Sequence, residues 1–241
     1  DHPALTMAAA MGRVLPVYLV EPDYWRLPDT SARQWDFTAE ALSDLREALG
    51  GLGAPPIVRV GEAVDLLDRL CRQHHIARIL SHEETGNLWT YARDRRVAAW
   101  ARQAGVEWIE LPQQGVVRRL RGRDGWARRR DAFVAQPVLD APPGLTPVAG
   151  VEPGTIPTAR ALRLAEDRCA HRQTGGRAQG LRLLASFLTL RGEPYRSAMS
   201  SPLTGERACS RLSAHLALGC LSSREVVQAA EAAHRAGAVP L

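Results

Sequence analysis

Four short apolar runs, separated by helix-length amphipathic stretches, constrain the fold of residues 1–125 more than any other feature of the chain. Val14–Val20 (VLPVYLV) is almost continuously apolar, as expected of a strand covered on both faces. Pro56–Val60, Ala77–Leu80 and Val106–Leu111 repeat that pattern. Helices are expected over Ala4–Met11, stopped by Gly12, over Ser31–Leu49, over Glu62–His74, and from Asn87 or Leu88 to Gln103. Ser31-x-x-Gln34 reads as a capping box, Gly50-Gly51 as a stop, and Trp35, Leu42, Leu45 and Leu49 as one core stripe. Val64, Leu67 and Leu70 turn inward from the next helix. Strands alternating with helices of this length imply an α/β fold, a doubly wound parallel sheet with helices on both faces.

Several chemistries are excluded at once. The chain contains no lysine, so a P-loop lysine and a lysine Schiff base are both ruled out. The net charge of +5 permits a nucleic-acid partner without requiring one. Cys71, Cys169, Cys209 and Cys220 form no C-x-x-C pair, which fits a reduced, cytoplasmic protein without a metal site. Cys71-x-x-His74-His75 reads as a helix end with favourable basic charge, in preference to a metal cluster. No apolar run reaches the roughly 18–20 residues of a membrane span, and no signal-peptide layout is present. The opening DHPAL, without Met, reads like the middle of a longer frame.

The texture changes after Gly115. Val116–Arg130 carries seven arginines and one tryptophan, readable as a nucleic-acid contact or, preferably, as a solvated loop. Residues 126–160 are expected to form a linker, rich in proline and glycine over 135–157. From about Arg160 the pattern becomes helical. Ala178–Leu190 presents Leu181, Leu184, Ala185 and Leu188 as a stripe, ended by Gly192-Glu193-Pro194. A last helix runs to about Ala236, and residues 161–241 read as an incomplete helical domain.

Two stretches carry chemistry. Ser81–Asn87 (SHEETGN) follows a strand and opens a helix, where ligands of open parallel sheets sit. Glu83 and Glu84 there suit a polar heterocycle, while Asn87 reads first as an N-cap. The second stretch, Tyr195–Val227, passes through the turn-rich Ser200–Gly205 and re-enters helix through Cys209-Ser210-Arg211-Leu212-Ser213. Hydroxyls and free N–H groups at such an entry suit an anion, and Arg211 adds a forked donor. Ser222-x-x-Glu225 reads as a second capping box. Two well-capped packing helices would produce the same pattern. No G-x-S-x-G, H-E-x-x-H or paired-carboxylate motif specifies hydrolysis, and no catalytic residue is assigned.

DHPAL, VLPVYLVEPDYW, SHEETGNLWTYARDRRVAAW and GLRLLASFL…YRSAMSSPLTGERACSRLSAHLALGCLSSREVV together resemble the cryptochrome/DNA photolyase family, in the right order and along nearly the whole chain. The resemblance implies an N-terminal antenna-type α/β domain over 1–125, a linker, and the start of an all-α FAD-binding domain. By matching, Tyr195 stands beside the flavin phosphates, and Cys209, Ser210, Arg211, Leu212 and Ser213 are the flavin-binding segment. Cys209 replaces the commoner threonine, and a thiol is the weaker hydrogen-bond partner. Ala214 replaces the usual proline. Relative to the family, the first strand and most of the FAD-binding domain are missing, and that strand would lie inside the sheet.

The implied function is that of a photolyase, a light-driven, FAD-dependent lyase that repairs pyrimidine dimers in damaged DNA. Such a protein acts as a monomer, often with a second antenna chromophore (a folate, deazaflavin or flavin), for which Glu83, Glu84 and Asn87 are the candidate contacts. This fragment is expected to be inactive alone. The alternatives are a cryptochrome, which signals blue light without catalysis, and a non-photochemical nucleotide-binding remnant.

Overall fold

Proline and apolar alternation decide where the strands run. The computed structural model describes residues 1–237. Its elements are α1 (Pro3–Met11), β1 (Val17–Val20), α2 (Ala32–Gly51), β2 (Ile57–Val60), α3 (Ala63–His74), β3 (Arg78–His82), α4 (Leu88–Ala104), β4 (Glu107–Leu111) and α5 (Trp126–Val134). The second half carries α6 (Arg177–Ser186), a π-helical turn (Phe187–Arg191), α7 (Tyr195–Ala198), α8 (Gly205–Ala208), α9 (Ser213–Ala217) and α10 (Ser223–Arg235). The last four positions of the helical unit expected over 161–241 lie outside the described residues.

The strands are parallel as expected, but they form two sheets of two strands. β1 pairs with β2 from Val17↔Ile57 to Val20↔Val60, and β3 pairs with β4 from Arg78↔Glu107 to His82↔Leu111. Among the described residues β1 and β3 do not pair with each other, so each has one open edge. β1 is shorter than the apolar run because Pro16 has no N–H to give a ladder. The Pro16 carbonyl accepts instead from Ile57, and Val14 bridges separately to Pro147. Val17 is exposed, so β1 is covered less fully than a continuous apolar run suggests.

Alternation along β1 sends side chains to two helical layers. Val20 packs with Trp35 and Leu42 of α2, Trp25 and Val58, with Tyr18 against the same cluster. Leu19 packs the other way, with Ala63 and Leu67 of α3, Val97 of α4 and Ile79 of β3. Both sheets therefore share one cover. Trp35 is fully buried, and its indole N–H donates to the Pro157 carbonyl at 2.9 Å, which fixes the linker to α2.

Local signals set most helix starts. Ser31, Glu62 and Asn87 each accept a backbone N–H at the start of α2, α3 and α4, and Ser222 with Glu225 makes a complete capping box on α10. Four expectations need correction. α2 runs through Gly50-Gly51 and leaves Leu45 exposed, and its buried residues are Ala32, Trp35, Phe37, Thr38, Leu42 and Leu49. Residues 126–134, expected as linker, form α5, whose Phe133 and Val134 face α10. Residues 160–176 make turns, and regular helix begins only at Arg177. The helix expected to Leu190 stops at Ser186 and continues as a π turn, with Leu181 and Leu190 exposed. There Leu184, with Leu183 and Leu188 beside it, packs with Leu212 and Leu221.

Candidate functional site

The carboxyl ends of parallel strands leave room for a ligand, because the connecting loops diverge there. A cavity of about 1090 Å³ lies at this end, between Tyr18, Leu19 and Glu21 of the β1 side and His82, Glu83 and Glu84 of the β3 side. Arg211, Ala214 and Leu218 of the helical half close it. Two separate sequence motifs thus meet on one cavity.

Its floor is an ion-pair network. Arg93 reaches Glu21 at 2.8 Å, Asp94 at 2.8 Å and Glu84 at 3.4 Å. Burial holds the carboxyls of Glu21 and Asp94 above their ordinary range. Glu84 also accepts the Gly86 N–H at 2.7 Å, and Glu83 pairs with Arg118 at 3.4 Å. Asn87 is absent from the cavity lining: its side chain accepts from the Thr90 N–H at 3.1 Å and donates to Asp29 at 2.9 Å. It is a cap. His82 was not singled out by sequence, yet it lines the cavity with a buried Nε2 that has no hydrogen-bond partner among the described residues. Burial, with the tilted His2 ring 4.5 Å away, pushes the His82 imidazole down to about 4, so it is neutral at neutral pH.

The second motif is organised by its backbone. α9 is a single turn of five residues, so the helix entry expected there contributes little. Arg211 instead takes a left-handed φ of 61°, costly for a residue with a Cβ. The carbonyls of the segment are occupied from behind. Arg191 donates to the carbonyls of Cys209 and Ser210, and the Gln173 side-chain amide donates to that of Arg211 at 2.7 Å. Among the described residues, none of the backbone N–H groups of 210–213 donates to a carbonyl or side chain. A left-handed residue followed by the right-handed Leu212 turns successive N–H groups to one side, the geometry of an anion-binding nest.

The remaining predicted residues fall around this turn. Of residues 209–213 Arg211 alone lines the cavity, and its guanidinium pairs with Glu206 at 3.1 Å. Leu212 is buried in the helical core, Ser210 and Cys209 are partly buried, and Ser213 is exposed. Tyr195 starts α7 with its ring edge-on to Phe187 at 5.6 Å, and Phe187 in turn lies 6.0 Å from the Arg191 guanidinium. Tyr195 is linked to the segment through these side chains. Arg191 and Gln173 had no local sequence signal, since their partners lie 18 to 38 residues away.

The chain is similar to known proteins in sequence and fold. Residues 1–121 match the family model described as DNA photolyase. A cryptochrome DASH of Gloeobacter violaceus is 27% identical over 94% of this chain and 49% of its own length. The crystal structure of a Synechocystis cryptochrome superposes with a TM-score of 0.81 at 20% identity, over 98% of this chain and 53% of that one. An archaeal photolyase from Sulfolobus tokodaii, solved with two FAD molecules, gives a TM-score of 0.69 at 20% identity, over 96% of this chain and 52% of that one. The chain spans about half the length of the curated relatives it matches. Among the described residues, no helix is long and apolar enough to cross a membrane.

Proposed function

The chain belongs to the DNA photolyase family, and on that premise we propose that it forms the antenna-type half and the first wall of the flavin site of a light-driven DNA repair lyase. One observation carries this reading: among the described residues, the carbonyls of 209–211 are occupied from behind while the N–H groups of 210–213 have no acceptor. A row of free N–H donors beside a guanidinium fits the diphosphate of FAD and suits no neutral ligand as well. When bound, the flavin supplies light absorption and the electron that splits a pyrimidine dimer in damaged DNA. The chain's own part is to bind and orient. Residues 210–213 and Arg211 hold the phosphates, and Tyr195 borders them. The cavity takes a second chromophore (a folate, deazaflavin or flavin), with His82, Glu83 and Glu84 as polar contacts. Asn87 acts on that site only by capping α4. The protein works as a monomer in the cytoplasm.

A second reading is a blue-light photoreceptor, favoured by the 27% identity to a cryptochrome DASH. The test is blue-light illumination of dimer-containing DNA with the whole protein in which this chain occurs, followed by a count of remaining dimers. Light-dependent loss of dimers is expected. Tight flavin binding with every dimer intact would sink the repair reading and leave the photoreceptor.

A further inference from the structure

Arg191 stands where the helix of the second half gives way to a π turn, a local irregularity that nothing in its own sequence demands. Its guanidinium is partly buried, and among the described residues it has no carboxylate partner. All its bonds run to neutral oxygens. Nε donates to the Ser186 hydroxyl at 2.9 Å, and Nη2 donates to the carbonyls of Leu183 at 2.8 Å and Ser210 at 3.2 Å. Nη1 donates to the Cys209 carbonyl. A partly buried positive charge that meets only neutral dipoles is poorly compensated, whereas the partly buried Arg93, Arg118 and Arg172 meet carboxylates.

We propose that Arg191 is the positioning residue of the phosphate-binding segment. Its fork fixes two successive carbonyls, those of Cys209 and Ser210, immediately before the left-handed Arg211. With both carbonyls drawn back, the N–H groups of 210–213 turn outward, and Gln173 completes the row at Arg211. The uncompensated charge behind the turn makes the same segment more attractive to an anion and adds no contact to it. Burial and the nearby Arg211 hold the Arg191 guanidinium below its ordinary range, as an unneutralised cation would be. A planar fork is needed to hold two carbonyls; an ammonium on the same stem cannot do it. This role deepens the reading of 209–213 as a diphosphate wall and rests on it.

The test measures binding of inorganic pyrophosphate and ADP to this chain and to its Arg191→Gln and Arg191→Lys variants, with amide hydrogen exchange on each. Arg191→Gln is expected to weaken both ligands about tenfold or more. Arg191→Lys, which keeps the charge and loses the fork, is expected to restore less than half of that loss on a logarithmic scale. Exchange should accelerate at 210–213 and stay unchanged in α2 and α10. Parental affinity in Arg191→Gln overturns the role of Arg191 alone. Accelerated exchange throughout both helices also overturns it, as the mark of a merely structural arginine. A parent chain that binds neither probe overturns the diphosphate reading and this role together.

Discussion

Replacing Gly175 by alanine is expected to destabilise the chain by about 3 kcal/mol or more, well above an ordinary surface change. A Cβ at Gly175 would stand 2.1 Å from the Phe37 carbonyl oxygen and 2.9 Å from the Ala41 nitrogen, both backbone atoms of α2 that cannot turn aside. The contact is close because the crossing segment is bound there by several groups. The Gly175 N–H donates to Glu40 at 2.8 Å, Arg172 grips the same carboxylate at 2.6 and 2.9 Å, and the Arg177 N–H donates to Asp44 at 2.7 Å. Glu40 and Asp44 lie one turn apart on α2, so a single helix face holds the entry to the second half. His215 of α9, fully buried, rests edge-on against Phe37 at 5.0 Å. Pushing this joint apart would open the cavity shared by Glu84 and Arg211. Thermal unfolding is expected to drop by roughly 6–12 °C for a chain of this size. Gly122→Ala is the control: its Cβ meets nothing within 4 Å, and its melting should match the parent. A Gly175→Ala protein that melts with the parent would show that the two halves are not held at α2.

Arg224→Met should be comparably damaging for a different reason. Arg224 of α10 reaches Asp1 at 2.7 and 2.9 Å, and the two side chains are only 6% and 1% exposed. Gln136 and the Phe133 ring, 5.1 Å from the guanidinium, close the site. Removing the arginine leaves the Asp1 carboxylate buried without its partner, a change that costs about 3–5 kcal/mol. Removing both charges, as Asp1→Asn with Arg224→Met, should cost clearly less than the single change, because no lone charge remains. Urea unfolding of the parent, both single variants and the double variant measures the cycle. A single Arg224→Met within 1 kcal/mol of the parent would contradict the buried pair.

The parts of the fold legible in sequence are those set by neighbours in sequence. Asn87 and Ser222 cap their helices as their spacing suggests, Ser31 caps α2 without the reciprocal Gln34 bond of the expected box, and the four strands lie where apolar runs lie. What escaped depends on groups far apart in the chain. α5 hides in an arginine run because its inner face is Phe133 and Val134, and that face meets α10 and Gly115, which lie far away in sequence or outside the run's periodicity. The expected stripe Leu181–Leu188 shifts because the face of α6 that meets Leu212 and Leu221 is the one carrying Leu184 and Leu188, while Leu181 is exposed. In the site, residues 209–213 were singled out by likeness to a family, whereas Arg191 and Gln173, which hold their carbonyls, carry no motif. Asn87 was readable as a cap from its place before α4. The meeting of Glu84 and Arg211 on one cavity follows from the α2 joint, which no local pattern encodes.

The most direct measurement is a two-dimensional amide NMR titration of this chain with ADP, which carries the diphosphate and lacks the flavin ring. The largest shifts are expected at the backbone amides of Ser210, Arg211, Leu212 and Ser213, with smaller ones at Tyr195. Shifts centred on the loop after β3, at Glu83 to Gly86, with residues 210–213 unmoved, would contradict the assignment of the diphosphate to this turn.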